Sequence, residues 1–374
     1  MTTLRLGGKE ALALVQGGMG VGISAHRLAG SVASANCVGT ISSVDLRRLH
    51  PDLMRATGRV RDKAAIERAN LEALEREIRA AREISGGRGA IAVNVMRAVS
   101  QYPDYVRTSC AAGADAVVVG AGLALDLPEL ARDWPNVALV PIVSEARAAS
   151  LIARRWQRRG RVPDAIVVEH PRYAGGHLGA TRMEEVNDAR FDFERVLPDI
   201  RRALHDAGLD ADKIPLIAAG GINSPERSKA ARAAGADGVQ VGTPFAVTEE
   251  GDAHPNFKHV LAGAGPDDIV VFMSVAGLPA RAVRTPWLKA YLEKEEALRK
   301  RAKKRRECTL AWDCLVQCGL RDGLPQAGQF CIDHHLAAAL RGDVDRGLFF
   351  RGSEPVPFGA EIRPVRDLVD YLLS

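Results

Sequence analysis

Pro215-Leu216-Ile217-Ala218-Ala219-Gly220-Gly221-Ile222, followed one βα unit later by Gly238-Val239-Gln240-Val241-Gly242-Thr243, is the stretch that decides the fold. Each half is an apolar run that ends in glycine. Glycine at the carboxyl end of a strand lets a ligand approach the backbone, and the helix start behind it offers unpaired N–H groups to an anion. Two such turns in succession are how a (β/α)8 barrel builds a phosphate site after its seventh and eighth strands. Between them, Ser224-Pro225-Glu226 sets a capping serine before a proline at the first helical position, and Gly235 stops the helix-forming run.

Six earlier apolar runs bring the strand count to eight. They are Ala11-Leu12-Ala13-Leu14-Val15, Val38-Gly39-Thr40-Ile41, Ala90-Ile91-Ala92-Val93-Asn94-Val95, Ala116-Val117-Val118-Val119, Ala138-Leu139-Val140-Pro141-Ile142-Val143 and Ala165-Ile166-Val167-Val168. Continuous rather than alternating apolar runs indicate strands buried on both faces, as a parallel sheet requires. Residues 61–83 read as a long charged helix with Ile66, Leu71, Leu74 and Ile78 on one face, and the arginine-rich residues 153–161 as a solvated helix face. The expected fold class is therefore α/β: a TIM barrel over residues 1–284, with a C-terminal helical, Cys-containing extension over residues 285–374 packed on it as one continuous unit. In that extension, residues 287–306 read as one helix ending in seven positive charges between Arg299 and Arg306, with closing helices at 332–341 and 364–373. Cations suit a helix carboxyl end; the functional alternative is contact with phosphates of a cofactor or carrier substrate.

Composition sets the outer bounds. With 51 basic and 46 acidic residues among 374, the net charge of +5 makes no case for nucleic acid as a partner. Residues 1–16 lack the basic and apolar regions of a signal peptide, and no apolar stretch is long enough to span a bilayer, so a cytoplasmic location without membrane contact is expected. Six cysteines are too sparse for a disulfide scaffold. Cys37 and Cys110 read as small buried hydrophobes in helical stretches. Cys308, Cys314, Cys318 and Cys331 gather in a C-x5-C-x3-C-x12-C pattern that matches neither the paired zinc spacing nor the common ferredoxin run, so no metal is expected.

The ordered motifs support a resemblance. Gln16-Gly17-Gly18-Met19-Gly20, Asn94-Val95-Met96, Ala174-Gly175-Gly176-His177-Leu178-Gly179, Ala219-Gly220-Gly221-Ile222, Gly242-Thr243-Pro244-Phe245 and Ser274-Val275-Ala276-Gly277-Leu278-Pro279-Ala280-Arg281 follow one another along the chain. In that order they resemble the nitronate monooxygenases, formerly 2-nitropropane dioxygenases, which are related to the flavin-dependent enoyl-acyl-carrier-protein reductases. The resemblance implies a flavoprotein with non-covalent FMN. Gly18 and Met19 would lie along the isoalloxazine, Asn94 would bond its polar edge or the ribityl chain, and Gly175 and Gly176 would give it room. Gly220, Gly221, Gly242 and Thr243 would hold the phosphate, and Gln240 is counted with them. His177 is the implied catalytic residue, as a base or as an anchor for an anionic nitronate. His170, ending the same strand, is its nearest rival; the other histidines read as structural. One departure stands out: Tyr173 occupies the position before Ala-Gly-Gly-His where the family often has glutamate, which puts the pocket above the flavin in question.

The activity expected is FMN-dependent oxidation of alkyl nitronates, in which the flavin takes electrons from a small-molecule substrate and passes them to O2. The alternative is an NAD(P)H-dependent flavin reductase acting on an enoyl thioester or quinone. A non-catalytic flavin scaffold using the basic helix and the cysteines is a third reading. A homodimer stands open beside a monomer.

Overall fold

A computed structural model describes residues 2–374. In chain order the strands are β1 (Thr3–Leu6), β2 (Lys9–Leu12), β3 (Leu14–Gln16), β4 (Val38–Ser42), β5 (Ala90–Met96), β6 (Ala116–Gly120) and β7 (Ala138–Val143). They continue with β8 (Ile166–Glu169), β9 (Gly176–His177), β10 (Leu216–Ala219), β11 (Gly238–Val241), β12 (Ile269–Met273) and β13 (Pro279–Val283). Eight of them, β3 to β8 with β10 and β11, form a closed parallel barrel in which β11 returns to pair with β3. Register aligns their carboxyl ends on one rim: Ala219 lies opposite Glu169, Ala219 also opposite Gln240, and Val241 opposite Gln16. That alignment brings distant strand ends to a single face.

The barrel interior is small-residued, with Val15, Ala92, Ala116, Val118, Val140, Val167 and Ile217 in one buried cluster. Leu4 and Leu6 from β1 join the same cluster, so the antiparallel β1–β2 hairpin plugs the amino end. The run beginning at Ala11 therefore divides: Ala11 and Leu12 pair with β1, and the barrel strand starts only at Leu14. The outer core holds Ile66, Leu74 and Ile78 from the helix Lys63–Ser85, with Leu71 half-buried. Asp62 caps that helix by accepting the Ala65 N–H at 3.1 Å, a contact worth about 1 kcal/mol. Trp156, on the helix Ala146–Gln157, is buried with its Nε1–H donated to the Ala124 carbonyl at 2.8 Å, while Arg154 and Arg155 face water. Ser224 caps the helix Pro225–Ala233 as expected.

The extension departs from expectation in one place. Residues 287–306 are not one helix: Pro286–Leu292 and Glu295–Lys300 are separate, and 301–306 are irregular. Consecutive like charges repel at helical spacing, and the Arg305 N–H is drawn instead to the Arg321 carbonyl at 2.9 Å. The closing helices are Ile332–Leu340 and Val365–Leu372. Bridges Val99 to Leu315 and Ala282 to Phe350 fasten this segment along the barrel rim. Cys110 is buried in a helix, but Cys37 lies buried in the bend before β4 rather than in one. No helix among the described residues is long and apolar enough to cross a membrane.

Candidate functional site

Two adjoining cavities open at the carboxyl rim. The smaller, about 130 Å³, is walled largely by backbone: Gly17, Gly18, Gly175, Gly220, Gly221, Gly242 and Thr243. The larger, about 250 Å³, runs from Gly18, Met19, Asn94, Gly176 and His177 toward Phe257, Leu261, Leu336 and Ala339. Gly18, Met19, Glu169, Gly175, Gln240, Gly242 and Thr243 border both. Every residue expected at the site from the sequence therefore lines at least one of the two.

Glycine is required at the seam by close approach. A Cβ at Gly18 would stand 2.3 Å from the Asn94 Cβ, and one at Gly221 would stand 2.8 Å from the Tyr173 Cγ. Gly221 also has φ +76°, in the left-handed region that side chains disfavour. The N–H groups of Gly221 and Thr243 have no acceptor among the described residues, whereas the Thr243 hydroxyl accepts the Gly352 N–H at 3.0 Å. The carboxamides of Asn94 and Gln240 make no hydrogen bond among the described residues, leaving their donors and acceptors to the cavities. Two acidic residues border the small cavity, Glu169 and Glu354, and the ion pair of Glu354 with Arg227 offsets its charge.

His177 lies on β9, a two-residue strand held against β13 by the pairings His177 with Ala280 and Gly176 with Arg281. Its Nε2 is 3.0 Å from the Ser274 Oγ, which also accepts the Ala276 N–H at 3.2 Å. With no charged partner, burial lowers the His177 pKa to about 4, so the ring is neutral near pH 7. Arg281, itself buried, ties down the loop before His177 by donating to the carbonyls of Pro171 and Ala174. Desolvation lowers its pKa to about 10.

His170 is structural. It is buried, its Nε2 meets Asp192 at 3.1 Å, its Nδ1 accepts the Arg172 N–H, and it borders neither cavity. His26 and His50 likewise bind one buried carboxylate, Glu77. Tyr173 borders only the smaller cavity, its ring against Gly221 and beneath the Arg227 guanidinium. Arg172 turns away to Asp192 and the Asn187 carbonyl. The departure from the family pattern therefore alters the smaller cavity and not the surroundings of His177.

Three contributors escaped the sequence reading. Glu169 ends β8 and borders both cavities; burial pushes its carboxyl up to about 7, with the Arg281 charge opposing the shift. Its position at the end of a barrel strand was the available signal. Ser274 had none beyond its place in the motif, because β12 and β13 bring it to His177 across 97 residues. The third is the wall supplied by Cys314, Leu315, Asp333, Leu348 and Phe350, all from the extension.

The fold has solved likenesses. FabK from Thermotoga maritima aligns with TM-score 0.65 and 23% identity, covering 96% of this chain and 91% of that one. A nitroalkane oxidase from Streptomyces ansochromogenes aligns with TM-score 0.65 and 19% identity, covering 96% and 94%. At such identities the likeness concerns the fold alone. A probable nitronate monooxygenase of Bacillus subtilis (strain 168) is 32% identical over 123 residues, 33% of this chain and 33% of that protein. The (3aS,4S,5R,7aS)-5-hydroxy-7a-methyl-1-oxo-octahydro-1H-indene-4-carboxyl-CoA dehydrogenase of Rhodococcus jostii (strain RHA1) is 31% identical over 194 residues, 50% of this chain and 47% of that one. The matches thus span less than half the length of these curated relatives. The model of the nitronate monooxygenase family, by contrast, matches residues 9–374, and the chain belongs to that family of oxidoreductases.

Proposed function

We propose that this chain is an FMN-dependent oxidoreductase that oxidises alkyl nitronates with O2. The observation that carries the reading is the junction of the two cavities: a backbone cradle for an anion opens directly onto a neutral, half-buried histidine. The residues present fit FMN. Unpaired N–H groups at Gly221 and Thr243 suit its phosphate, and the space above Gly18 and Gly221 admits no side chain. Asn94 and Gln240 offer free carboxamides to its polar atoms, and Gly175, Gly176, Gly220, Gly242 and Met19 complete the lining. FMN, when bound, supplies the electron transfer to and from substrate.

The chain's own residues then hold substrate and protons. A histidine kept neutral by burial serves as a base or a neutral hydrogen-bond donor rather than as a cationic anchor. If Ser274 accepts from Nε2–H, Nδ1 carries the free lone pair and can receive a proton; if Ser274 donates, Nδ1–H becomes the donor. Glu169, uncharged below about pH 7, spares an anionic nitronate a second negative charge in the same space. Apolar side chains beyond His177 exclude water from that end.

A second reading, NAD(P)H-dependent reduction of a carrier thioester, has its own observation. The larger cavity exceeds what a small nitronate fills, and Leu315 is its common wall with an open groove of about 700 Å³ where Arg61, Lys63 and Arg321 pair with Glu307, Asp313 and Asp322 while Lys304, Arg305 and Arg306 stand without an acidic partner among the described residues. Such a groove suits phosphates of a carrier, and the Rhodococcus relative is named for a CoA thioester. Anaerobic flavin spectroscopy separates the two. Flavin bleaching by an alkyl nitronate but not by NADH or NADPH supports the first reading. Fast bleaching by nicotinamide alone supports the second, and failure to bind FMN overturns both.

A further inference from the structure

Four cysteines that the sequence spaces irregularly are gathered by the fold. Cys308, Cys314, Cys318 and Cys331 are all free thiols, and all six pairs among them stand within electrostatic reach of one another. Cys37 and Cys110, by contrast, are isolated in the outer core. The four come from separate local frames. Cys318 precedes the helical turn Gly319–Asp322, and Cys331 precedes the helix Ile332–Leu340. Cys314 has its carbonyl fixed by the Ser100 N–H at 3.1 Å and borders the cavity that holds His177. Cys308 lies in the wall of the basic groove.

Main-chain donors face two of the sulfurs, and cations line the groove beside a third. Backbone N–H groups of Leu320 and Arg321 are directed at the Cys318 sulfur, and that of His334 at the Cys331 sulfur. Such N–H groups stabilise thiolates and tune iron–sulfur centres. Lys303, Lys304, Arg305 and Arg306 have no acidic partner within ion-pair distance among the described residues, and three of them line the groove beside Cys308. The loop between Cys318 and Cys331 is held rigid by Gln329, whose Nε2 donates to the carbonyls of Gly319, Leu324 and Ala327. Gly319 is in turn pinned to the Val275 carbonyl at 2.7 Å, one residue from Ser274.

No three His, Cys, Asp or Glu side chains among the described residues converge as a single ion demands. A zinc ion at about 2.3 Å from each sulfur would draw four thiolates to one point. A cubane is wider, because each cysteine binds a different iron corner. We propose that Cys308, Cys314, Cys318 and Cys331 hold a four-iron, four-sulfide cluster at the wall of the His177 cavity. This site is independent of which substrate the cavity accepts.

The test is metal analysis of the full-length protein purified without oxygen and reconstituted with ferrous iron and sulfide. The expected result is about four irons and four acid-labile sulfides per chain, with a dithionite-reducible visible band beyond that of the flavin. Cys314→Ser should lower the iron content at least about fourfold while circular dichroism and FMN binding persist, and Cys37→Ser should leave iron unchanged. One equivalent of zinc, a disulfide among the four found by mass spectrometry, or less than one iron per folded wild-type chain would each overturn the proposal.

Discussion

The two cavities meet at the same seven residues yet are made of different material. The smaller is main chain: glycines at strand ends, open N–H groups, and a hydroxyl. The larger is side chain: a neutral histidine, a half-buried carboxyl and apolar groups drawn from the barrel, from the helix Pro255–Gly263 and from the extension. Main-chain binding depends on local conformation, which glycine spacing encodes. Side-chain chemistry depends on burial and on partners far along the chain, which spacing does not encode. The contrast divides the site into a main-chain end and a side-chain end, and each can be perturbed alone.

The sharpest division comes from His177→Ala, which should lower kcat about a hundred- to ten-thousand-fold while FMN binding, followed by fluorescence titration, stays within a few-fold. Full turnover in that variant would break the comparison. The converse is Gly221→Ala. Strain of about 1–3 kcal/mol from its φ of +76° and the approach to Tyr173 should weaken FMN about 5- to 150-fold. The turnover of the fraction that still holds flavin should be unchanged.

Ser274→Ala should cost roughly tenfold in kcat with KM little altered, since it removes about one hydrogen bond that orients His177. Ser274→Thr, keeping the hydroxyl, should recover most of the loss, and equal defects in both variants would point to packing instead.

The smallest effect belongs to Glu169. With its carboxyl pushed up to about 7, kcat/KM for an anionic nitronate should fall severalfold as pH rises through 7, and Glu169→Gln should flatten that limb. The linked stability has a fixed sign. A raised carboxyl pKa stabilises the fold fully below its unfolded value of about 4.5, and the contribution is lost as pH rises through about 7. His177, lowered to about 4, runs the other way: its contribution is present above 6.5 and is lost as pH falls toward 4. A pH profile of melting temperature in Glu169→Gln and His177→Asn reads the two separately.

Legibility follows the same physical division. Eight strands were readable because a parallel sheet buried on both faces leaves continuous apolar runs. The one misplaced start, at Ala11, arose because a plugging hairpin is equally apolar; its Gly7-Gly8 turn, with both residues at positive φ, was the missed signal. The long basic helix failed because propensity favoured it while charge repulsion and the Arg321 carbonyl did not. Asn94, Gln240 and the glycines were readable as strand-end residues.

By itself, the sequence determined the barrel, its phosphate-type turns and the placement of a histidine beside them, because each is written in local periodicity and in residues that permit one backbone conformation. Only the tertiary structure decided that Ser274 meets His177, that Glu169 rather than Tyr173 brings a titratable group to both cavities, and that four scattered cysteines become neighbours. Those relations arise from long-range pairing and desolvation, which exist only once the chain has closed on itself.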